Sequence, residues 1–569
     1  MTSGKSSPRN DVSIVVGGQA GQGIQTIEFT LAWVLKRCGY NVFSTKEYMS
    51  RIRGGSNSTT IRVSSERVTS CVDRIDVFVP LDTPTLDRLR SRLTSDTLII
   101  GEAKNLDTEL EVVDVPFLNL AEEAGGRIYG DTVVVGVLSG IMAGDLDCLE
   151  GYLRERFAKK GSDIVENNLT AARKGYRTGC ELRSSGKVDI ALEKDPDIAG
   201  DLLVSGAEAV SLGAIAGGCN FISAYPMSPG TSVLTYLSSV DEQFGLVAEQ
   251  AEDEIAAINM AIGAWYAGAR AMVTTSGGGF ALMEEGVSLA GITETPVVVH
   301  VGQRPGPATG MATRTEQADL ELVLYAGHGE FPRIIYAPGR TEEAFWLAAR
   351  AFNMADKYQV PVFILTDQYF LDSYYNTPSL DLTETEVDKY VVETDRDYKR
   401  YALTRDGISP RGVPGYGEGL VAVDSHEHTQ EGHITEDIDI RNIMTAKRLG
   451  KIEAIKADSV PPTLVGAKDY SSLVISWGST FHIVSEALDL IGRDDTALMH
   501  FSQVYPLPPA TEEYLGKAAK IIAVENNATA QFCRVLRAHT GLCAHERILK
   551  FDGRPFAADT LAGEIDDLL

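Results

Sequence analysis

The first third of the chain alternates short runs of β-branched residues with a longer amphipathic stretch. Residues 11–18 (DVSIVVGG), 74–81 (RIDVFVPL) and 96–102 (DTLIIGE) predict strands, and residues 24–39 predict a helix. Alternation of this kind is typical of a parallel sheet with helices on both faces. We therefore expect an α/β unit that extends to about residue 180.

The same alternation returns twice further along the chain. In the second stretch, strands are predicted at residues 220–226, 269–275, 295–302, 333–338 and 361–367. In the third, strands are predicted at 471–478, 496–502 and 520–526, with helices at 479–492 and 529–541. Residues 247–269 are apolar almost all round after an acidic start, which predicts a buried helix.

Two polar segments separate these units. Residues 181–202 lack periodicity and are predicted to form a linker. Residues 376–462 form a much longer polar segment, of the kind that usually serves as a functional loop or docking segment. The sequence therefore predicts three doubly wound α/β units in series, at residues 1–180, 203–375 and 463–569.

Composition narrows the class of protein. The chain has 569 residues and a net charge of −27, so neither nucleic acid nor an anionic membrane is an expected partner. The longest apolar run, Thr132–Gly144, is too short to span a bilayer, and the polar start MTSGKSSPRN predicts no secretion signal. We expect a cytoplasmic protein.

Metal-binding patterns are not found in the sequence. The seven cysteines are dispersed and form no CxxC pair, which argues against a disulfide framework and against an iron–sulfur or zinc site. His426, His428 and His433 lie close together, but their spacing matches no known ligand pattern. We predict that this chain holds no metal, and that any electron-carrying cluster belongs to another chain.

A glycine-rich turn, Gly17–Gly23 (GGQAGQG), follows the first predicted strand and precedes a helix. Glycines at such a turn let backbone amides approach a phosphate at the helix N-terminus, although the spacing is not GxGxxG. Downstream, Arg51–Ser56 (RIRGGS) adds two arginines in a predicted loop. Phosphate binding and an ordinary βα turn both remain open for this region.

Ser228 lies between two prolines in AYPMSPGT, directly after a predicted strand. Proline restricts the backbone, so the Ser228 hydroxyl is expected to point in a fixed direction. A rigid turn in which a hydroxyl caps the next helix is an equally good interpretation.

Four acids, Glu249, Glu252, Asp253 and Glu254, precede the apolar part of the helix predicted at residues 247–269. Acids at a helix N-terminus interact favourably with the helix dipole, and that explains most of them. Glu254 is the last acid before the apolar residues, so we expect it to be the most desolvated, as acid/base carboxyls are.

Arg304 directly follows the predicted strand at residues 295–302. Open α/β sheets bind ligands at the carboxyl ends of their strands, and a guanidinium there can hold a substrate carboxylate by two parallel hydrogen bonds. The alternative is an arginine paired with a structural acid.

Taken together and in this order, the motifs resemble the 2-oxoacid:ferredoxin oxidoreductases over nearly the whole chain. GGQAGQG, RGGS and IVENNLTAARKGY are similar to the γ domain of that family. AYPMSPGT, EDEIAA, TTSGGGFALMEEG, VGQRPGPATG, ADLELVLYAGHGE and RYALTRDGISPRGVPG are similar to its α domain, with ISWGST and VENNATAQ in the C-terminal part. The order is that of a fused γ–α large subunit.

The resemblance implies a γ domain, a domain that binds the pyrimidine of thiamine diphosphate, and a transketolase C-terminal-like domain. It assigns catalysis to Glu254, substrate binding to Ser228 and Arg304, and cofactor binding to Tyr225, Pro226 and Glu254. Here YPMSPG replaces the family's usual YPITPS or YPITPG pattern, so serine replaces threonine but the hydroxyl remains. The glycines Gly18, Gly21 and Gly23, with Arg51 and Arg53, become candidates for binding coenzyme A.

The resemblance also implies partners. The chain has no GDG motif for diphosphate and Mg²⁺ and no cysteine set for a cluster, and in the family both are on a smaller β subunit. The expected reaction is oxidative decarboxylation of 2-oxoglutarate with coenzyme A, with electrons passed through a [4Fe–4S] cluster of the partner subunit to ferredoxin. A dimer of heterodimers is the expected assembly.

Three alternatives remain open at this point. The substrate could be pyruvate or a branched-chain or aryl 2-oxoacid, although VGQRPGPATG in a fused γ–α chain favours 2-oxoglutarate. The chain could be a non-catalytic scaffold of a redox complex, or a self-contained thiamine enzyme of transketolase type. The distal substrate carboxylate could be bound by Arg314 or by a lysine of the β subunit.

Overall fold

The computed structural model describes residues 10–50, 54–186, 188, 190–383 and 385–569. Contacts divide the chain into two compact units, the first formed by residues up to Val204 with Ser373–Ser379, and the second by Ser205–Asp372 with Leu380–Leu569. The predicted α/β class is confirmed, with one sheet in the first unit and two in the second. No helix among the described residues is both long and apolar enough to cross a membrane.

The first unit is built on an eight-stranded mixed sheet. In spatial order its strands are Val113–Asp114, Leu98–Gly101, Val77–Pro80, Asp11–Ala20, Gly54–Ser64, Asn41–Glu47, Tyr374–Thr377 and Leu202–Ser205. Its α-helices are Ile24–Arg37, Thr83–Leu89, Phe117–Glu123, Gly130–Ile141, Leu146–Phe157 and Ser162–Ser184.

The first sheet is not the parallel sheet that the sequence predicts. Asp11–Ala20 pairs in parallel with Val77–Pro80 but antiparallel with Gly54–Ser64, which in turn pairs antiparallel with Asn41–Glu47. The strand Gly54–Ser64 begins GGSNSTT, a polar, glycine-containing start that is typical of a loop. Its pairing with two neighbours overrides that local preference.

Two helices of the first unit are in unusually close contact. Gly136 and Gly140 of the helix Gly130–Ile141 face Gly175 and Gly179 of the helix Ser162–Ser184. A Cβ at any of these four glycines would overlap a backbone carbonyl oxygen of the opposite helix. Glycine at these positions therefore lets the two backbones touch. The apolar run Thr132–Gly144 is thus explained as a core helix.

The second unit contains a seven-stranded and a five-stranded sheet. The strands of the larger sheet are, in spatial order, Gln503–Tyr505, Ile334–Tyr336, Pro361–Asp367, Val297–Gln303, Ala271–Thr275, Phe221–Ala224 and Val247–Gln250. Those of the smaller sheet are Thr463–Gly466, Thr496–Phe501, Ser472–Trp477, Lys520–Glu525 and Glu546–Leu549. The helices are Gly206–Ala216, Thr231–Ser239, Asp241–Phe244, Glu254–Tyr266, Gly277–Phe280, Glu284–Thr293, Leu320–Tyr325, Thr341–Tyr358, Gln368–Asp372, Ile438–Ala457, Phe481–Ile491, Thr511–Lys517, Gln531–Thr540 and Ala558–Asp566.

The segment predicted as one buried helix, residues 247–269, has two parts. Val247–Gln250 is an edge strand of the seven-stranded sheet, and the helix is Glu254–Tyr266. The helix buries Ala257, Ile258, Ala261, Ile262 and Trp265 on one side. On the other side Ile255 is 51% exposed and Met260 is 37% exposed. The prediction of a helix that is buried all round is therefore wrong for the single chain.

The polar segment after residue 376 contains a helix, Ile438–Ala457, that the sequence pattern does not predict. Lys447 and Lys451 of this helix are buried and both pair with the buried carboxylate of Glu294, with Lys447 Nζ at 2.7 and 2.8 Å from its two oxygens. Nearby, His428 is stacked on Tyr401 with ring centroids 3.7 Å apart. These charged and aromatic contacts give the polar segment a packed structure.

Candidate functional site

Three neighbouring strands of the seven-stranded sheet bring the predicted site residues to one edge. Phe221–Ala224, Ala271–Thr275 and Val297–Gln303 are parallel and adjacent, so their carboxyl ends lie side by side. Ser228 follows the first of these strands, the glycines Gly277–Gly279 follow the second, and Arg304 follows the third. This is the edge at which open α/β sheets bind ligands.

Glu254 is the first residue of its helix, and its carboxyl group is enclosed. The N-cap is Asp253, whose carboxylate accepts a hydrogen bond from the Ala256 amide at 2.7 Å. Glu254 is only 3% exposed, and its Oε1 has no hydrogen-bond partner among the described residues. Glu249 and Glu252 are exposed. Asp253 therefore caps the helix, and Glu254 holds an unpaired, desolvated oxygen.

The turn Gly277–Gly279 packs directly against that carboxyl. A Cβ at Gly279 would lie 2.6 Å from Glu254 Oε1 and would also overlap the Thr275 hydroxyl. A Cβ at Gly278 would only touch its neighbours, with Met227 Sδ at 4.0 Å and the Ala308 carbonyl oxygen at 3.6 Å. Glycine is thus required at 279, where the backbone approaches Glu254, and is less critical at 278.

Arg304 and Ser228 are in direct contact. Arg304 Nη1 donates a hydrogen bond of 2.7 Å to the backbone carbonyl of Ser228. Burial lowers the pKa of Arg304 below its ordinary value, and the Asp319 carboxylate opposes that shift. The following helix begins at Thr231 with Gly230 at its N-cap, so the interpretation of Ser228 as a helix cap is wrong.

Tyr225 and Pro226, the predicted cofactor-binding residues, continue from the strand that precedes Ser228. Tyr225 is 41% exposed and Pro226 is also exposed. Both therefore lie on an open surface at the same sheet edge as Glu254 and Arg304.

Asp319 is a site residue that sequence reasoning missed. Its carboxyl group lies against Gly277, where an added Cβ would overlap it, and its Oδ2 is shielded from solvent with no hydrogen-bond partner in the described chain. The pKa of Asp319 is raised to about 7, mainly by burial and also by the neighbouring Glu316, while Arg304 opposes the shift. The only sequence signal was an acid just before an apolar stretch in ADLELVL.

The loop from Arg304 to Asp319 is fixed by Gln317. The fully buried Gln317 side chain donates to the Trp477 carbonyl at 2.8 Å and accepts from the Asn526 amide at 3.0 Å. The Asp319 amide donates to Gln303 Oε1 at 3.0 Å. These bonds connect the loop to the smaller sheet and hold the site residues before any ligand binds.

In the first unit, the turn Gly17–Gly23 borders two cavities. One has a volume of about 380 Å³ and is lined by Gly21, Gly23, Phe117 and Asp131 among others, and the other, of about 420 Å³, by Gly21, Gly23 and Lys46 among others. Gly18 is covered by the Gln22 side chain. Arg51 and Arg53 lie outside the described residues.

Family models match both units. Residues 212–447 match "Pyruvate flavodoxin/ferredoxin oxidoreductase, thiamine diP-bdg", a thiamine diphosphate-binding domain that includes Ser228, Glu254 and Arg304. Residues 13–178 match "Pyruvate ferredoxin/flavodoxin oxidoreductase".

Two relatives and one solved structure match nearly the whole chain. The chain is 34% identical to the 2-oxoacid:ferredoxin oxidoreductase subunit alpha of Sulfolobus sp, over 97% of this chain and 96% of that protein. It is 27% identical to the 2-oxoglutarate oxidoreductase subunit KorA of Mycobacterium tuberculosis, over 97% of this chain and 90% of that protein. A solved structure of the Magnetococcus marinus 2-oxoglutarate:ferredoxin oxidoreductase matches with a TM-score of 0.91 and 29% identity, over 98% of this chain and 99% of that chain. That structure has 2-oxoglutarate, coenzyme A and succinyl-CoA bound. The chain therefore belongs to the 2-oxoacid:ferredoxin oxidoreductase family as an alpha subunit, and is part of an oxidoreductase.

Proposed function

We propose that this chain is the large subunit of an enzyme that oxidises 2-oxoglutarate with coenzyme A to succinyl-CoA and CO₂. The observation that carries the proposal is the enclosed Glu254 Oε1, which has no partner in the described chain although it lies at the ligand-binding edge of the sheet. A buried polar oxygen without a partner is costly, and a ligand that supplies a hydrogen bond would remove that cost.

The residues present fit thiamine diphosphate. Glu254 would share a proton with a ring nitrogen of the aminopyrimidine, with Tyr225 and Pro226 at the open side of the same edge. When bound, the cofactor supplies an electron sink for the decarboxylation of a 2-oxoacid. Glu254 would hold the proton at Oε1, and the Gly277–Gly279 turn would let the cofactor approach it without a Cβ in the way.

Arg304 and Ser228 would bind the substrate. The Arg304 guanidinium is already oriented by its bond to the Ser228 carbonyl, so a C1 carboxylate meets a preorganised cation rather than a mobile side chain. Ser228, whose backbone carbonyl Arg304 contacts, would offer its hydroxyl to the 2-oxo group. Preorganisation of this kind lowers the barrier because the ordering entropy is lost when the protein folds.

The choice of 2-oxoglutarate is supported by relatives named for that substrate and by the neighbour that binds it. Arg314 or a lysine of the β subunit would hold the distal carboxylate. Pyruvate and branched-chain 2-oxoacids are the second candidates, because the model for residues 212–447 is described for a pyruvate enzyme.

Coenzyme A would bind near the turn Gly17–Gly23, at one of the two cavities that this turn borders. Each cavity is lined by one cation and two acids: Lys46 with Glu28 and Glu47 in one, and Arg127 with Glu102 and Asp131 in the other. Gly18, Gly21 and Gly23, with Arg51 and Arg53, remain the candidates from the sequence.

The proposed complex includes a smaller β subunit that carries the diphosphate, Mg²⁺ and a [4Fe–4S] cluster, and it reduces ferredoxin as a dimer of heterodimers. The support is the subunit name of the relatives and the lack of a GDG motif and of a cysteine set in this sequence. The seven cysteines form no disulfide in the described part of the chain, which suits the reducing conditions of the cytoplasm.

The test is ferredoxin reduction by this chain purified with its β subunit. With coenzyme A present, kcat/KM for 2-oxoglutarate should exceed that for pyruvate roughly 100-fold or more, because a site that pairs a charged group rejects substrates without it. Glu254→Gln should lower turnover by roughly 10²–10⁴-fold. Glu252→Gln, which changes an exposed acid two residues earlier, should leave turnover unchanged. Turnover that is unchanged in Glu254→Gln would support the scaffold alternative.

A further inference from the structure

Two unpaired carboxyl oxygens flank the same glycine turn, and the proposed chemistry uses only one of them. Glu254 Oε1 lies against Gly279, and the Asp319 carboxyl lies against Gly277. Neither Glu254 Oε1 nor Asp319 Oδ2 has a hydrogen-bond partner among the described residues. The Asp319 carboxyl therefore has no structural role that its contacts explain.

Asp319 is not a helix cap, although it occupies the N-cap position of Leu320–Tyr325. Its side chain makes no capping hydrogen bond in the described chain, and its backbone amide is held by Gln303 Oε1. Gln317 is also fixed against the smaller sheet, so the backbone on both sides of Ala318 is held in place. Asp319 is partly buried as a residue, but its Oδ2 is shielded from solvent. A carboxyl shielded in this way ionises only at a high free-energy cost.

The charged groups that act on Asp319 are few. Glu316, on the same loop, opposes its ionisation, and Arg304, at the end of the adjacent strand, favours it. The turn Gly277–Gly279 packed against it carries no ionisable side chain. The charge of Arg304 is thus the main interaction that stabilises an ionised Asp319.

We propose that Asp319 is a positioning residue that couples proton uptake to substrate binding at Arg304. This inference rests on the proposed function, in which Arg304 binds the substrate carboxylate. In the empty site above neutral pH, Asp319 is ionised and shares the positive charge of Arg304. When a substrate carboxylate binds Arg304, that charge is neutralised, and Asp319 takes up one proton from solvent.

The sign of the pH dependence follows from linkage. Burial raises the pKa of Asp319 to about 7, and a bound carboxylate raises it further. Because the bound state then carries more protons than the empty state, substrate affinity falls as the pH rises through 7. Below that pH Asp319 is protonated in both states, and affinity is constant.

The experiment is the pH dependence of KM and kcat for 2-oxoglutarate between pH 6 and 8.5, measured on the chain assembled with its partner subunit. In the wild type, KM should rise about three- to tenfold, since a coupling of one pKa unit is a factor of ten. In Asp319→Asn, KM should stay low and flat, and the pH profile of kcat should keep its wild-type shape. A parallel rise of KM in Asp319→Asn would overturn the proposal.

Glu316→Gln is the matched control, because it removes a neighbouring acid from the same loop. It should keep the rise of KM but move its midpoint to lower pH, since Glu316 raises the pKa of Asp319. An unmoved midpoint would contradict the proposal even if Asp319→Asn fails to fold. Arg304→Ala tests the substrate site separately from Asp319. An unchanged KM at pH 6 in Arg304→Ala would contradict the proposed substrate site. A raised KM in Arg304→Ala, together with a wild-type pH profile of KM in Asp319→Asn, would contradict only the role of Asp319.

Discussion

The segments Gly17–Gly23 and Gly277–Gly279 are both glycine-rich and both stand where a strand gives way to a helix. Gly17–Gly23 covers the end of the strand Asp11–Ala20 and the turn before the helix Ile24–Arg37, and Gly277–Gly279 belongs to the short helix Gly277–Phe280. The protein's own side chains fill the space beside the glycines only in the first segment. In the first turn, Gln22 Oε1 accepts a hydrogen bond of 2.6 Å from the Gln19 amide, and Asp131 lies against Gly23. In the second, Glu254 and Asp319 point unpaired oxygens at the glycines.

The difference shows that a glycine-rich turn is not by itself a sign of function. Glycine allows a close approach to the backbone, and the approaching group can belong to the protein or to a ligand. At Gly23 that group is Asp131 of the same chain. At Gly279 the group is the Glu254 carboxyl, whose Oε1 has no hydrogen-bond partner in the described chain. A ligand could therefore form a hydrogen bond with this oxygen.

The strongest test of the second turn is Glu254→Gln. Glutamine keeps size and polarity but cannot exchange a proton, so exchange of the cofactor C2 proton should slow by roughly 10²–10⁴, the usual general acid–base contribution. Proton exchange followed by NMR in the assembled complex measures this, with Glu252→Gln as the control. Equal rates in wild type and Glu254→Gln would mean that the unpaired Oε1 has no catalytic role.

Arg304→Ala should have the next largest effect. Loss of a preorganised cation should cost about 2–4 kcal/mol in kcat/KM for every 2-oxoacid tested, because a carboxylate loses a charged partner in a partly buried site. Steady-state kinetics of the assembled complex give the value. Unchanged kinetics would contradict the assignment of the substrate site.

Gly279→Ala against Gly278→Ala tests the close approach itself. A Cβ at 279 overlaps the Thr275 hydroxyl and comes within 2.6 Å of Glu254 Oε1, so the overpacking should cost about 1–3 kcal/mol in cofactor binding. At 278 the nearest atom is 3.6 Å away, and alanine should cost much less. Titration of the complex with thiamine diphosphate compares the two. Equal losses would show that the turn is sensitive to any side chain.

The smallest effect is expected at the first turn. Burial raises the pKa of Asp131, so the folded protein disfavours its ionised form, and this cost grows as the pH rises above the ordinary carboxyl range. The carboxyl is largely protonated in both states at about pH 3, so Asp131→Asn should raise the melting temperature more at pH 8 than at about pH 3. The gain in the free energy of unfolding at pH 8 should be below about 1 kcal/mol. A gain that is equal at both pH values would contradict this account.

Much of the fold could be predicted because buried parallel strands have a strong sequence pattern. Val297–Gln303 and Pro361–Asp367 are continuous β-branched or apolar runs, and both form where predicted. Gly54–Ser64 and Ile438–Ala457 were missed because tertiary contacts stabilise them: a polar strand pairs on both sides, and buried lysines pair with Glu294. Tyr374–Thr377 joins the first sheet from far along the chain, which no local pattern indicates.

Candidate site residues could be predicted from the sequence where a charged residue stands at the end of a predicted strand or the start of a predicted helix. The positions of Glu254 and Arg304 were predictable because one stands at the start of an apolar helix and the other follows a buried strand, while their roles stay predictions. Asp319 was missed because its burial depends on Gly277, which is more than forty positions away in the sequence. Which carboxyls lack partners depends on three-dimensional packing, and a single sequence does not contain that information.

The anchoring of Gln317 by Trp477 and Asn526 also bears on how this protein can change over generations. Under the proposed function, a substitution in the last hundred residues that weakens the Asn526 contact should lower substrate affinity, although the altered position is far from Arg304 in the sequence. Selection on substrate affinity would then also act on the segment Val524–Asn527. Exchanging this terminal region between relatives should succeed only when the Trp477 carbonyl, which accepts from Gln317, and the Asn526 amide, which donates to it, keep their positions.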